Sequence, residues 1–347
     1  MTKAGVGILG IAHGHIGYYC DVWQKQTSPG VGLVSVWDND KTRARSLADS
    51  LNLPISDTPE DLLAENGIDS VIICAETLYH ADLVEMAAKA GKKIILQKPI
   101  ATTPADADRI VDAVKKYNVP FTLAWQMRVD PHNLKVRQLL ESGKFGKILM
   151  IRRRHSLSTH LWNSFEKSWH VNPTLNHSIF ADDAAHPADF IYWLLGMPES
   201  VFAEIVTTSN SLITGNNAIA VFRYPDGLLA EISCTFTAVA GENTLEILCE
   251  NGTIVGNYGD QVSCITPRDP GVAQLKTYLH GDDTWTKIDL PDIYAQRERI
   301  QGLAVPLAEF LNGTRPGLAT AEEGRDVLKM TMACVESADE GKRVLLN

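Results

Sequence analysis

Residues 94–99 read Ile-Ile-Leu-Gln-Lys-Pro, a short apolar run that ends at a lysine and a proline. Gly91 precedes this run and Pro104 follows it, so the pattern predicts a buried strand that ends in a loop. Ligands of parallel α/β sheets bind beyond the carboxyl ends of the strands. We therefore expect Lys98 to lie at a ligand crevice, as a proton donor, proton acceptor or electrostatic clamp. For an isolated Lys-Pro pair, an ordinary surface lysine is the alternative.

Strand-like and helix-like patterns alternate around this run, along residues 4–124. The predicted strands cover residues 4–11, 32–37, 70–74, 93–97 and 120–124, and the predicted helices cover residues 15–26, 41–51, 79–90 and 105–117. Strands and helices that alternate at this spacing predict a right-handed, doubly wound parallel sheet.

The turn after the first predicted strand has features of a dinucleotide-binding loop. Its residues are Gly10, Ala12, His13, Gly14 and His15. A glycine fingerprint that begins at Gly5 lies inside the strand, so the tight turn begins at Gly10, and Ala12 and His15 take the second and third glycine positions. The backbone N–H groups of such a turn bind a pyrophosphate. The sequence leaves open whether His13 and His15 touch the cofactor or only line the turn.

Asp38 directly follows the second predicted strand. A carboxylate at this position accepts hydrogen bonds from the adenosine ribose and repels a 2′-phosphate, so NAD is favoured over NADP. Arg43 and Arg45 lie close in sequence and weaken this preference. The alternative is that Asp38 is a turn residue, because Asn39 and Asp40 follow it.

The second half of the chain contains a segment rich in histidine and tryptophan. Five of the ten histidines fall within residues 155–186, together with two tryptophans: His155, His160, His170, His177, His186, Trp162 and Trp169. Tryptophan rings suit stacking on an apolar sugar face. Asp182 and His186 are four residues apart in a predicted helix and therefore share one face. Such a pair suits two sugar hydroxyls, with histidine as a general acid or base.

These histidines have two possible roles besides substrate binding. Imidazoles with Asp182 could form a metal site, but no His-x-x-x-His pair exists and the spacing is irregular, so we predict no metal. Histidines satisfied by backbone groups are the ordinary alternative, especially for His155 and His280.

From residue 200 onward, short alternating runs are separated by hairpin signals such as Asp226-Gly227 and Asn251-Gly252. This pattern predicts a large, mostly antiparallel open sheet, with one face free for helices or another subunit. Two predicted helices, 300–311 and 319–339, close the chain.

Composition and charge exclude several classes of protein. The chain has 347 residues, a formal net charge of −10 and a pI of about 5.5, which argues against nucleic acid or an anionic membrane as a partner. No apolar run is long enough for a membrane span. The cysteines lack a Cys-x-x-Cys pair, which predicts reduced thiols and a cytoplasmic location; they are Cys20, Cys74, Cys234, Cys249, Cys264 and Cys334.

Several of these motifs together resemble the Gfo/Idh/MocA family, oxidoreductases related to glucose–fructose oxidoreductase and inositol dehydrogenase. They are Gly-Ile-Leu-Gly at 7–10, Asp38, His80, Ala-Gly-Lys-Lys-Ile at 90–94 and Gln97-Lys98-Pro99. The resemblance implies an NAD(P)-binding Rossmann domain at residues 1–124. It also implies an α+β domain at 125–347 for substrate binding and oligomerisation, and a homodimer or homotetramer formed through the C-terminal sheet.

The resemblance also implies roles for individual residues. Lys98 would carry the chemistry, and Asp182 and His186 match the family's Asp-x-x-x-His motif. Further cofactor contacts would come from Ala75, Glu76, His80, Gln97 and Lys98, and a further substrate contact from Arg128. The histidine- and tryptophan-rich segment itself predicts substrate contacts from His155, Trp162, Trp169, His170 and His177. For Arg128, a structural ion pair is an equal alternative.

Three departures from the family pattern are visible. Gln97 replaces the family glutamate, Ala75-Glu76 replaces Thr-Pro, and residues 176–178 (Asn-His-Ser) replace a glycine run. The expected function is an NAD-dependent dehydrogenase acting on a sugar, polyol or sugar derivative, with Lys98 and His186 handling the proton. An NAD-dependent glycoside-processing enzyme with transient internal redox and a non-catalytic nucleotide sensor are the alternatives.

Overall fold

The computed structural model describes residues 3–25, 30–208, 211–257, 269, 271–291 and 296–346. The strands are β1 Ala4–Leu9, β2 Val31–Trp37, β3 Ser70–Ile73, β4 Lys93–Leu96, β5 Phe121–Leu123, β6 Ile148–Ser156, β7 Ser200–Val206, β8 Asn217–Arg223, β9 Leu229–Thr235, β10 Thr244–Cys249, β11 Gly252–Asn257, β12 Leu275–Leu279, β13 Thr286–Ile288 and β14 Val344–Leu345. The α-helices are α1 His15–Lys25, α2 Lys41–Leu51, α3 Pro59–Ala64, α4 His80–Lys89, α5 Pro104–Tyr117, α6 Pro131–Glu141, α7 Pro173–Asn176, α8 Ile179–Asp183, α9 Ala185–Leu195, α10 Gln296–Gln301, α11 Ala304–Leu311 and α12 Ala321–Glu340.

The chain folds into two compact units. The first unit comprises Met1–Gln126, Thr174–Asn176 and Ile300–Leu328, and the second comprises Met127–Pro173, His177–Arg299 and Lys329–Asn347. Thus a segment near the C-terminus packs with the N-terminal residues.

The first unit is built on a parallel sheet. In its described residues, five strands pair in the order β2-β1-β3-β4-β5, all parallel. This confirms the predicted doubly wound fold, and each predicted strand or helix of residues 4–124 lies within about two residues of its observed bounds. The sequence prediction lacked the short helix α3, which Thr58 caps by accepting a hydrogen bond from the Asp61 N–H at 3.1 Å.

Hydrogen bonds join residues 300–328 to this sheet and its helices. The Trp23 indole donates to the Ala304 carbonyl at 2.8 Å, and Lys93 Nζ donates to the Leu311 carbonyl at 2.7 Å. Both donors lie in elements that the N-terminal sequence forms, so these bonds place α11 in the first unit.

The second unit is built on a mixed sheet that is mostly antiparallel, as predicted. Its described strands pair in the order β13-β12-β11-β10-β6-β9-β8-β7-β14, and only β6 and β9 are parallel neighbours among them. Alternate residues of the strands are buried, as Ala218, Ala220 and Phe222 show in β8. This period of two places one face in the core and leaves the other face more exposed.

Two helix predictions for the second half need correction. The single helix expected around Asp182 and His186 is two helices, α8 and α9, which meet at Ala184. Pro187 has no N–H to donate to the Asp183 carbonyl, so the helical ladder is interrupted there. The expected helix at 300–311 is likewise divided into α10 and α11, and Gly302 lies in the break.

The described cysteines are buried free thiols, in agreement with the expected reduced state: Cys20, Cys74, Cys234, Cys249 and Cys334. Cys264 lies outside the described residues. Within the described part of the chain, every helix is too short or too polar to cross a membrane.

Candidate active site

Lys98 lies where the sequence predicts, just beyond the carboxyl end of β4. Lys98 is only 4% exposed, and its backbone N–H donates to the side-chain oxygen of Gln97 at 2.9 Å. The Lys98–Pro99 peptide bond is cis. Gln97 Nε2 lies 3.2 Å from both His15 Nδ1 and the Tyr19 hydroxyl. The loop that carries the lysine is therefore tied to the first turn of α1.

His80 links the ends of two strands and is almost completely buried. One ring nitrogen, Nε2, lies 3.2 Å from the Ala75 carbonyl oxygen, beyond β3. The other, Nδ1, lies 3.0 Å from the Pro99 carbonyl oxygen and 3.2 Å from that of Ile100, beyond β4. The His80 ring therefore connects the segment after β3 to the loop that carries Lys98.

The turn between β1 and α1 has the tight geometry expected of a dinucleotide loop. Gly10 has φ of +83°, and a Cβ there would collide with Ala75, so only glycine fits. Gly10 N–H donates to the Trp37 carbonyl at 2.8 Å, and His13 N–H donates to the Cys74 carbonyl at 2.9 Å. The turn is thus fixed to both neighbouring strands.

His13 and His15 lie side by side in this turn. Their ring centroids are 4.2 Å apart in an edge-on arrangement. His13 is buried, His15 is half-buried, and Ala12 beside them is also half-buried. A Cβ on Gly14 would meet no atom within 4 Å, so the backbone faces open space next to the first residue of α1.

Asp38 is buried at the end of β2 and accepts several hydrogen bonds. Its Oδ2 accepts from the Ile11 N–H at 2.6 Å, and its Oδ1 accepts from Arg43 Nη2 at 2.9 Å. Arg43 Nη2 also donates to Glu76 Oε1 at 2.7 Å. Burial lowers the pKa of the Arg43 guanidinium, but its bonds to Glu76 and Asp38 outweigh this and raise the pKa above its usual value.

These residues of the first unit fit a nicotinamide dinucleotide. The backbone at Gly14 is open at the point where α1 begins, and the first N–H groups of a helix bind pyrophosphate oxygens well. Asp38 supplies acceptor oxygens at the end of the adjacent strand, which suits ribose hydroxyls. The donor set and the acceptor lie at the topological positions where such cofactors bind.

In the second unit, Asp182 pairs with His170. The distance from His170 Nδ1 to Asp182 Oδ2 is 2.8 Å, and Asp182 is 1% exposed. The His170 ring stacks on Trp169 at a centroid distance of 3.9 Å and on Phe165 at 5.4 Å. Trp162 meets Phe165 edge-on at 5.4 Å. The structure thus brings Trp162, Trp169, His170 and Asp182 together.

His186 lies beside Asp183, the residue next to Asp182. His186 Nε2 is 3.5 Å from Asp183 Oδ1, and His155 Nε2 is 3.6 Å from Asp183 Oδ2. The two imidazole centroids are 5.9 Å apart, and both residues are about 95% buried. The Asp183 carboxylate therefore lies close to two imidazole rings.

The sequence prediction did not include Asp183, which lies beside two of the candidate histidines. It precedes His186 by three residues, and side chains at that separation are neighbours on a helix. The i,i+3 spacing was a usable signal, but the family motif favours Asp182, four residues before His186.

Two further predicted substrate residues have other surroundings. Arg128 is buried, and its Nη2 lies 2.7 Å from Asp189 Oδ1, so the ion-pair alternative describes its contacts. His177 has φ of +61° and lines a cavity of about 210 Å³ that Asp339 at the end of α12 also lines. Burial lowers the pKa of His177, and Asp339 opposes this shift.

Among the described residues, no group of three or more histidine, cysteine, aspartate or glutamate side chains has the arrangement of a metal site.

Comparison with known proteins identifies the chain in both halves. Residues 4–124 match the oxidoreductase family with an NAD-binding Rossmann fold, and residues 133–255 match the GFO/IDH/MocA C-terminal domain. The fold and the dinucleotide turn define an NAD-binding oxidoreductase. The matches span more than half of the sequence, and the chain belongs to the Gfo/Idh/MocA family of oxidoreductases.

Similar proteins cover the chain along its length. The sequence is 24% identical to myo-inositol 2-dehydrogenase of Thermotoga maritima, with 98% of each chain covered. It is 26% identical to scyllo-inositol 2-dehydrogenase (NAD⁺) of Bacillus subtilis, over 71% of this chain and 72% of the relative. A solved oxidoreductase from Agrobacterium radiobacter, in complex with NAD⁺, L-tartaric acid and magnesium, has 18% identity and a TM-score of 0.81, with 99% of each chain covered.

Proposed function

We propose that this protein is an NAD-dependent dehydrogenase that oxidises a CH–OH group of an inositol, another polyol or a sugar, or reduces the corresponding carbonyl. The observation that carries the proposal is buried Lys98 at the carboxyl end of β4, in a loop tied through Gln97 to the first residue of α1. Relatives named inositol 2-dehydrogenases support the substrate class.

The proposed chemistry divides between cofactor and protein. Bound NAD supplies the hydride acceptor. Lys98 and His186 accept and hold the proton of the reacting hydroxyl, because both residue types exchange protons when their surroundings adjust them. Asp182 orients the substrate. We add Asp183 as the positioning residue for His186, since its carboxylate lies 3.5 Å from the imidazole.

The proposed binding roles follow the predicted division at residue 124. Residues 1–124 bind the cofactor through Gly10, Ala12, His13, Gly14, His15, Asp38, Ala75, Glu76 and Gln97, with His80 holding the loop. Residues 125–347 bind the substrate. Stacked Trp169 and His170 suit a sugar ring, because such rings have apolar faces.

We also propose a homodimer or homotetramer formed through the more exposed face of the second unit's sheet. Phe202 and Ile219 are 36% and 55% exposed there. Arg152 and Glu246 form an ion pair at 3.0 Å on neighbouring strands. An apolar surface with charged residues beside it is typical of a subunit contact. We also propose a cytoplasmic location, because the described cysteines are buried free thiols and reduced thiols are typical of that compartment.

The decisive experiment measures absorbance at 340 nm while the purified protein and NAD⁺ are offered a panel of inositols, sugars and glycosides. A substrate-dependent rise is expected and would identify the substrate class at once. If NAD⁺ binds by calorimetry but no substrate produces a rise, the dehydrogenase proposal fails. Product analysis of the glycosides would then separate internal redox from a non-catalytic sensor.

A further inference from the structure

Arg43 is clamped between two buried carboxylates that come from different strand ends. Its Nε and Nη2 atoms lie 3.1 and 2.9 Å from Asp38 Oδ1, and Nη2 lies 2.7 Å from Glu76 Oε1. Asp38 follows β2 and Glu76 follows β3, while Arg43 lies in the first turn of α2. The side chains of Asp38 and Glu76 are 0% and 6% exposed, and that of Arg43 is 29% exposed.

Asn39 completes the clamp. Its side-chain oxygen accepts from Arg43 Nη2 at 2.7 Å, and its Nδ2 lies 3.5 Å from Glu76 Oε2. The guanidinium group thus has acceptors from three residues around it, and the cluster of two carboxylates and one guanidinium carries a net charge of −1.

An arginine beside the strand-two carboxylate is the group that would otherwise pair with a 2′-phosphate, because guanidinium and phosphate form strong bidentate bonds. In this protein a second carboxylate already engages that arginine. A 2′-phosphate would have to displace Glu76 from Arg43 and would bring its negative charge next to two carboxylates.

We propose that Glu76 determines the cofactor preference, by holding Arg43 on Asp38 and so excluding NADP from a site that accepts NAD. The inference rests on the proposed function, because it assumes that the adenosine ribose binds at Asp38. It assigns a role to the residue that replaces the family's proline after β3, and it makes NAD preference depend on three residues rather than on Asp38 alone.

The test is calorimetric binding of NAD⁺ and NADP⁺ to the full chain. Adenosine 2′,5′-bisphosphate and 5′-AMP serve as fragments that isolate the 2′-phosphate. The variants are Glu76→Gln, which removes the charge with little change of shape, and Glu76→Ala as a second form of the same change. Glu60→Gln is the matched control, because Glu60 is exposed in the first turn of α3.

Glu76→Gln is expected to lower two ratios of Kd values about tenfold or more: that for NADP⁺ over that for NAD⁺, and that for the bisphosphate over that for 5′-AMP. Adding Arg43→Ala should remove most of this gain, and Glu60→Gln should leave the ratio of the two Kd values unchanged.

An unchanged ratio in both Glu76 variants would overturn the inference, and so would a gain that persists without Arg43, since that would be a general effect of charge. If the wild-type protein binds neither dinucleotide, the proposed function itself fails. The two failures are therefore distinguishable.

Discussion

The candidate cofactor residues of the first unit and the candidate substrate residues of the second unit hold their carboxylates with different partners. In the first unit, Arg43 binds Asp38 and Glu76. In the second unit, His170 lies beside Asp182 and His186 lies beside Asp183; a third carboxylate of this unit, Asp189, pairs with Arg128. A guanidinium keeps its charge at every ordinary pH, whereas histidine gains and loses a proton near neutrality.

This difference matches the two tasks of the proposed enzyme. Cofactor binding needs a fixed arrangement of charge around the ribose, and an arginine clamp provides one. Handling a substrate proton needs a group that changes its charge under working conditions, and imidazoles provide it. The difference predicts that a variant of Asp38 changes the Kd for NAD⁺ by the same factor at every pH. A variant of Asp183 should change kcat/KM by a factor that depends on pH.

The largest effect is expected for Lys98→Ala. Removing the proton-handling group should reduce turnover roughly 10²-fold or more, the usual scale of general acid–base catalysis, while NAD⁺ binding survives. Steady-state kinetics and calorimetry measure the two quantities. Lys89→Ala, on the exposed side of α4, is the control and should behave as the wild type. Unchanged turnover in Lys98→Ala would remove this residue from the mechanism.

The second unit should also lose stability in acid because of His132. Burial lowers the pKa of His132 to about 4, although its bond to the Gln274 carbonyl opposes the shift. The unfolded chain takes up this proton below about pH 6.5 and the folded chain does not, so stability is lost as the pH falls from about 6.5 towards 4. One buried histidine shifted this far contributes about 3 kcal/mol to that loss.

Urea unfolding of wild type and His132→Gln at pH 7 and pH 4 measures this contribution. The stability difference between the two proteins should shift by about 3 kcal/mol in favour of the variant at the lower pH. His280→Gln changes an exposed histidine and should show no such shift. A shift of the same size in both variants would contradict the assignment to His132.

Asp38→Asn tests the arginine-held cluster. Loss of a charged acceptor should raise the Kd for NAD⁺ roughly tenfold, since hydrogen bonds to charged groups contribute about 1.5–3 kcal/mol. The ratio of variant to wild-type Kd should be the same at pH 6 and pH 8, because the guanidinium partner does not titrate there. A ratio that changes across this range would contradict the proposal that the arginine-held cluster keeps a fixed charge.

Asp183→Asn should have a smaller effect that depends on pH. Without the carboxylate, the His186 imidazole loses a charged neighbour 3.5 Å away, so the shape of the pH profile of kcat/KM should change. At neutral pH we expect a loss of several-fold, because the imidazole is less well oriented. Asp283→Asn, an exposed aspartate of the same unit, is the matched control. If kcat/KM falls by the same factor at all pH values, Asp183 has only a structural role.

Much of the first unit could be predicted because its information is local. Each strand and helix of residues 4–124 has its own periodicity and its own end signals, such as Asp40 and Thr103, which cap α2 and α5. Parallel strands also place their carboxyl ends at one edge, so Lys98, Asp38 and the Gly10 turn were predicted as candidates from order alone.

Less of the second unit could be predicted, because its contacts depend on which short segments meet. Helical spacing placed Asp182, four residues before His186, on the same predicted face, whereas the observed chain is broken into two helices at Ala184 and brings Asp183 beside His186. His170, in a short 3₁₀ helix, then took Asp182 as its partner from twelve residues away. No local pattern favours that pairing.

The sequence by itself determined the parallel sheet, the antiparallel sheet and the family, because repeating apolar patterns and short motifs act over a few residues. Only the tertiary structure decided the partners of the charged groups. Glu76 reaches Arg43 across 33 residues of sequence, and residues 300–328 join the N-terminal unit. Such contacts depend on packing between distant segments, so they cannot be predicted from local sequence patterns.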